Sequence, residues 1–288
     1  DYELKAEYYD DRDYALARLQ WRVPQVGKKE RIELYGEAGN AARACDMVVA
    51  VLGINKTIER EGKDREDIFL PEDQREFIEE LYKINPNTVV VLVAGSSLAI
   101  NWMQDHLPAV VNAWYPGEQG GTAVAEVLFG RYNPGGRLPL TYYNSLEELP
   151  PFGDYDVTRG RTYQYFTGKP LYPFGYGLSY TTFRYGKPEI KDLGNELFVS
   201  FDVRNTGKYD GDEVSQVYVK LPEVGVVTPN KELKGFVRTT IRKGENKRVE
   251  IRVRKDLLRY WDEKEGDFVT PRGTYTFMIG SSSEDIRL

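Results

Sequence analysis

The chain has 288 residues, 41% of them hydrophobic and 29% charged, with a net charge of −6, which is room for two domains of ordinary globular composition. The acidic balance gives no reason to expect nucleic acid or an anionic membrane as partner, since both select a basic excess. One cysteine, Cys45, excludes an internal disulfide framework, and one histidine, His106, argues against a zinc site or a Ser/His/Asp triad. No apolar run is long enough to span a bilayer, and no cofactor is expected. The 21 tyrosines and 4 tryptophans could stack on sugar rings, but they equally fill cores.

In chain order, residues 1–24 read as two β-runs around an acidic turn: Leu4, Ala6 and Tyr8 alternate, then Leu16, Leu19 and Trp21. Two strands are not a stable unit alone, so the hairpin looks like the end of something larger. Residues 25–150 alternate strand and helix. The stretch ending "GEAGNAARACD" is Ala-rich and helical; "MVVAVLG" (47–53) is a continuous apolar run of the parallel-sheet type, buried on both faces. Pro71 suits the first position of a helix, with Glu72 and Asp73 favouring its dipole and Phe77, Ile78, Leu81 and Tyr82 on its apolar face. "NTVVVLVAGS" (87–96) and "PAVVNAWYPG" (108–117) are two more strands, and "EQGGTAVAEVLFG" (118–130) begins a helix of small residues. The order predicts an open parallel sheet with helices on both faces. Three strands leave an unpaired edge, which favours self-association.

Residues 131–184 are rich in Gly, Pro and Tyr and resist regular structure; an ordered linker, fixed by aromatic packing, is assigned to 151–184. From 185 to 288 the period changes to two. Leu197, Val199, Phe201 and Val203 alternate, as do Val217, Val219 and Leu221, then Val249, Ile251 and Val253, then Tyr275, Phe277 and Ile279, with "NTG" (205–207) as a turn. Short alternating strands without a helical period predict a β-sandwich. The fold class is therefore α/β followed by all-β.

Ligands of open α/β sheets bind on loops at the carboxyl ends of strands. The segment "TIEREGKDREDIFLP" (57–71) leaves the carboxyl end of "MVVAVLG" and offers Glu59, Glu61, Asp64, Glu66 and Asp67 beside Arg60, Lys63 and Arg65. Gly62 permits a tight turn that would expose Glu61, as a general acid requires. A solvated charged loop is the plainer reading of the same residues. "GEQGG" and "NPGGR" lack the lysine and spacing of a phosphate loop. Ser96 and Ser97 have no partner base, Trp102 and Trp114 suit core packing, and His106 suits a helix end.

Together, "VLGINKTIEREGKDREDIFLPEDQREFI", "VVVLVAGS", "NAWYPGEQGGTAVAEVLFGRYNPGGRLPLT" and "YPFGYGLSYTTF" resemble the C-terminal half of family 3 glycoside hydrolases, a family of β-glucosidases and β-xylosidases. The resemblance covers roughly residues 40–288. It implies a TIM-like barrel carrying an Asp nucleophile, an α/β sandwich domain carrying a Glu acid/base, and a fibronectin-III-like domain, here 185–288. The family's E-G-x-D-R stretch matches "EGKDR", which implies Glu61 as acid/base, with Glu59 two residues away as the alternative. It implies loop-shaping roles for Asp64 and Arg65. "ELKAEYYDDRDYALARLQWRVPQ" resembles the last hairpin of a PA14 domain, which some members carry inserted. No residue matches the nucleophile motif, so the chain alone is expected to be inactive and to need a barrel, upstream or on a partner chain.

The implied partner is a β-linked oligosaccharide or glycoside, cleaved from its non-reducing end with retention, and the implied location is the periplasm or outside the cell. A non-catalytic carbohydrate-binding or interaction fragment is the rival expectation. An autonomous flavodoxin-like module is disfavoured, because no nucleotide loop follows a strand.

Overall fold

The computed structural model describes residues 35–288; the hairpin expected in residues 1–24 lies outside the described residues. Helix α1 (Gly36–Ala44), strand β1 (Val48–Gly53), helix α2 (Glu72–Ile84), strand β2 (Thr88–Val93), helix α3 (Asn101–His106), strand β3 (Ala109–Asn112) and helix α4 (Gly120–Leu128) follow one another. The strands form one parallel sheet in the order β1-β2-β3, with Val48 opposite Thr88 and Val89 opposite Ala109. Hence all carboxyl ends, and the loops that leave them, lie on one side.

Ala50, Leu52, Val90 and Leu92 on one sheet face pack with Ile78, Leu81, Leu98 and Met103 in the first core. The expected stripe of α2 is thus in place, with Ile78 and Leu81 buried. Pro71, expected as the first helical residue, is the N-cap instead, at φ −47° and ψ 141°. Its extended ψ leaves its carbonyl free to accept from the Gln74 and Arg75 amides at 3.0 and 3.1 Å, which is what an N-cap carbonyl does. Helix α3 falls between β2 and β3, where the alternation of strand and helix predicts one. His106 is its last residue, and its ring stacks on Trp102 at 4.6 Å against the core edge.

The reading of "MVVAVLG" as buried on both faces holds only in part. Side chains of a strand alternate between faces; Ala50 and Leu52 are covered, while Val49 and Val51 are 44% and 65% exposed. At the end of β1, α2 closes in. The Gln74 side-chain amide donates to the Gly53 carbonyl and accepts from the Gly53 amide, both at 2.8 Å. Gly53 must be glycine, because at φ +156° a Cβ would lie 1.9 Å from the Val93 carbonyl oxygen.

Residues between α4 and the sandwich carry only short helical turns, at Leu146–Glu148, at Val157–Arg159 and in α5 (Thr162–Tyr165). Aromatic contacts tie them together: Tyr163 stacks on Phe174 at 4.3 Å, Tyr143 meets Phe166 edge-on at 5.1 Å, and Tyr142 bridges Tyr172.

The second part is all-β. Strands β4 (Phe183–Leu193), β5 (Glu196–Asn205) and β8 (Asn246–Arg254) form one antiparallel sheet in the order β4-β5-β8. Strands β6 (Gly211–Lys220), β7 (Glu232–Ile241) and β11 (Thr276–Gly280) form the other in the order β11-β6-β7, and β9 (Tyr260–Asp262) pairs with β10 (Asp267–Val269). The alternating residues meet in a second core of Val199, Phe201, Val203, Val217, Val249 and Val253. The turn residue Asn205 is fully buried, and its side chain accepts from Thr181 and donates to the Ile241 carbonyl.

One buried ionic contact joins the parts. Arg137, from the segment after α4, donates to Glu213 of β6 at 2.8 Å, with both side chains under a tenth exposed. The Tyr185 hydroxyl donates to the same carboxylate at 2.8 Å.

Candidate active site

The loop between β1 and α2 is built in three pieces. Asn55 starts it: its carbonyl accepts from the Ile58 and Glu59 amides, and its side-chain oxygen accepts from the Thr57 amide and hydroxyl. Such an Asx turn reverses the chain directly after the strand. Next comes a minimal hairpin in which Arg60 and Lys63 exchange backbone hydrogen bonds at 3.2 and 2.9 Å. Glu61 and Gly62 form its tip. Gly62 sits at φ +72° with nothing within 4 Å of a built Cβ, so glycine is used here for its backbone freedom and not for space. Finally the Ala99 amide donates to the Ile68 carbonyl, and Leu70 is buried in the core.

The two candidate carboxylates fare differently. Glu61 is exposed, and among the described residues its side chain has no hydrogen-bond or ion-pair partner. Glu59 is half-buried and engaged: its Oε2 lies 2.6 Å from Arg65 Nε and accepts from the Ser96 hydroxyl at 2.6 Å. Arg65 continues across the loop, with Nη2 donating to Ser96 Oγ at 3.0 Å and to the Ser97 carbonyl at 2.9 Å. The Arg65 side chain is only 10% exposed, and its Nη1 has no partner among the described residues. Asp64 and Glu66 are exposed, and Asp67 caps the Phe69 amide at 2.8 Å.

Arg65 therefore ties the loop together, whereas Asp64, expected to share that role, makes no side-chain hydrogen bond or ion pair among the described residues. Ser96 and Ser97 are no nucleophiles, but they anchor the loop from the carboxyl end of β2. No local pattern signals this, because the partners are 31 and 32 residues apart. An oxygen already accepting from a guanidinium and a hydroxyl is poorly placed to give and take a proton. A free carboxylate at a fixed tip is well placed to do both.

Other candidates are structural or lie elsewhere. Trp114 has φ +55° and, with Tyr142, Tyr172 and Tyr176, walls a cavity of about 460 Å³ beside β3, to which no residue of the Glu61 loop contributes. Glu118 is exposed. Among the described residues no group of three His, Cys, Asp or Glu side chains is placed to hold a metal, and no helix is long and apolar enough to cross a membrane.

Known proteins place this arrangement. Residues 10–180 match the glycosyl hydrolase family 3 C-terminal domain, and residues 213–283 match a fibronectin type III-like domain. The β-glucosidase BoGH3A of Bacteroides ovatus is 36% identical over 99% of this chain, which spans 42% of that protein. A xylan 1,4-β-xylosidase of Xylanibacter ruminicola is 41% identical over 78% of the chain and 26% of its own length. The crystal structure of a Kluyveromyces marxianus β-glucosidase in complex with glucose superposes with a TM-score of 0.82 at 36% identity, covering 92% of this chain and 33% of that one. The chain thus corresponds to less than half the length of each of these relatives. It is similar to their C-terminal parts, an α/β domain followed by a β-sandwich, and it belongs to glycosyl hydrolase family 3.

Proposed function

We propose that this chain is the C-terminal part of a retaining, exo-acting β-glycosidase of the β-glucosidase or β-xylosidase type, and that it supplies the general acid/base, Glu61. In a retaining mechanism one carboxylate attacks the anomeric carbon while a second protonates the departing oxygen, then deprotonates the incoming water. Glu61 does the second job. The observation that carries this reading is the contrast within the loop: Glu59 is locked to Arg65 and Ser96, whereas Glu61 stands free at the tip of a pinned hairpin. The nucleophile comes from a barrel portion outside this chain, so the isolated chain does not hydrolyse aryl β-glycosides.

The test is made in a complete enzyme carrying this segment. Glu61→Gln retains glycosylation with dinitrophenyl glycosides, whose leaving group departs without a proton. It loses about 100- to 10,000-fold with alkyl or sugar leaving groups. Azide, which needs no deprotonation, restores turnover and yields a β-glycosyl azide. Glu59→Gln costs about tenfold, without azide rescue, through the loss of a neighbouring charge. Azide rescue of Glu59→Gln in place of Glu61→Gln moves the assignment two residues, and near-normal rates for both variants on every substrate remove the loop from catalysis. Sugar affinity without hydrolysis, even once the barrel portion is supplied, supports a carbohydrate-binding fragment instead.

A further inference from the structure

The Glu61 hairpin is short, polar and exposed, a composition that ordinarily gives a mobile loop tip. Its base is built otherwise. Glu59 lies two residues before the tip residue and Arg65 four after it, and their side chains meet at 2.6 Å, closing residues 59–65 into a ring. The ring is fastened to a separate element: Arg65 Nη2 reaches Ser96 Oγ and the Ser97 carbonyl, while the Ser96 hydroxyl completes the triangle to Glu59. These anchors follow β2, whose first five residues are all buried, so the hairpin is referenced to the most deeply buried strand of the sheet. Only a guanidinium can make these contacts together, because they leave one side chain in divergent directions from two different nitrogens. The fork is not saturated, since buried Nη1 remains unpaired among the described residues.

We propose that Arg65, with Ser96 bonded to both it and Glu59, is a positioning residue: it fixes where the Glu61 carboxylate stands and so sets the efficiency of proton transfer to the leaving group. This rests on the acid/base reading of Glu61. Arg65 acts through the loop and does not itself touch substrate. Proton transfer demands a heavy-atom approach of about 2.6–3.2 Å, and a misplacement of about 1 Å costs up to about 100-fold. The brace therefore matters for substrates that need the proton and little for those that do not.

Two measurements decide it. In the 288-residue chain itself, Arg65→Met accelerates amide exchange at residues 59–65 by about tenfold or more, the Arg60 and Lys63 amides included, and leaves exchange in the β-sandwich unchanged. Unchanged exchange in the loop overturns the proposal. In a complete enzyme carrying the segment, Arg65→Met lowers kcat about 10- to 100-fold for alkyl glycosides and less than about threefold for dinitrophenyl glycosides, with KM little changed. Arg65→Lys does not restore the loss, and Ser96→Ala gives a smaller loss of the same pattern. An equal loss across leaving groups with a lowered melting temperature means a stability role only. A raised KM at unchanged kcat means a substrate contact, and full rescue by lysine means that charge alone suffices; each of these overturns the proposal. Glu61→Gln in the same series separates the two claims. If Glu61→Gln depends on the leaving group and Arg65→Met does not, the brace falls alone. If Glu61→Gln does not, the acid/base assignment falls and the positioning role falls with it.

Discussion

Strands β1 and β5 are both apolar, yet they live in different surroundings. On β5, Val199, Phe201 and Val203 are fully buried between two sheets, whereas on β1 Val49 and Val51 are 44% and 65% exposed beside buried Ala50 and Leu52. The sandwich covers the inner faces of its two sheets. The α/β part covers one face fully and the other only in places. The loop that carries Glu61 leaves the less covered part, on β1 itself. The candidate site thus stands on a strand that keeps apolar side chains exposed, while the sandwich core is closed between two sheets.

The strongest way to break this comparison is to cut the contact between its two sides. Glu213→Ala leaves Arg137 buried without its carboxylate and removes the acceptor of Tyr185. It costs about 3–5 kcal/mol and resolves the thermal unfolding of the chain into two separate transitions in scanning calorimetry. A single sharpened transition would show that the two parts are coupled elsewhere.

Alkaline pH probes the seam on the other side. Burial pushes Tyr142 from 10.0 to about 12, against the Asn112 amide, which donates to its oxygen and favours the phenolate. The folded value exceeds the unfolded one. The tyrosine's contribution is thus complete below pH 10 and is lost as pH rises towards about 12, amounting to roughly 3 kcal/mol. Melting of the α/β part followed through this window should therefore fall less steeply in Tyr142→Phe than in the parent chain. Equal slopes would mean that Tyr142 ionises in the folded state as freely as in the unfolded one.

The smallest effect sharpens the comparison most directly. Val51→Ala, on the open face, changes stability by no more than about 0.5 kcal/mol in denaturant titration. Leu52→Ala, one residue on and facing the core, must fall well outside that range. Equal costs for the two would show that the open face is covered in solution, as by the self-association that an edge strand invites.

Much of this was legible in the residues. The switch from mixed periods to strict alternation after residue 185 marks the sandwich, because a two-sheet core repeats every second residue. The acidic start of α2 and the strands rich in Val were equally plain. The open face of β1 was not, since a uniformly apolar run reads the same whether one face or both are covered. At the site, the family resemblance offered Glu61 and, two residues away, Glu59, and their surroundings differ because Arg65, reaching Ser96, ties down Glu59 alone. That contact depends on β1 and β2 lying side by side, as the Arg137–Glu213 pair depends on the two parts meeting; neither leaves a local pattern.

The Gln74 amide at the end of β1 has a further consequence. Val48 and Ile54 send their amides to the β2 side, so by the alternation of a parallel ladder Gly53 points its backbone away from β2. Gln74 meets it there with one donor and one acceptor, imitating the peptide group of an adjoining strand. Among the described residues, a further strand laid along that side of β1 would find the backbone of Val49 and Val51 unpaired and the position at Gly53 already taken. The side chain thus acts as a stop: it limits how far pairing can run along β1 towards the loop that carries Glu61.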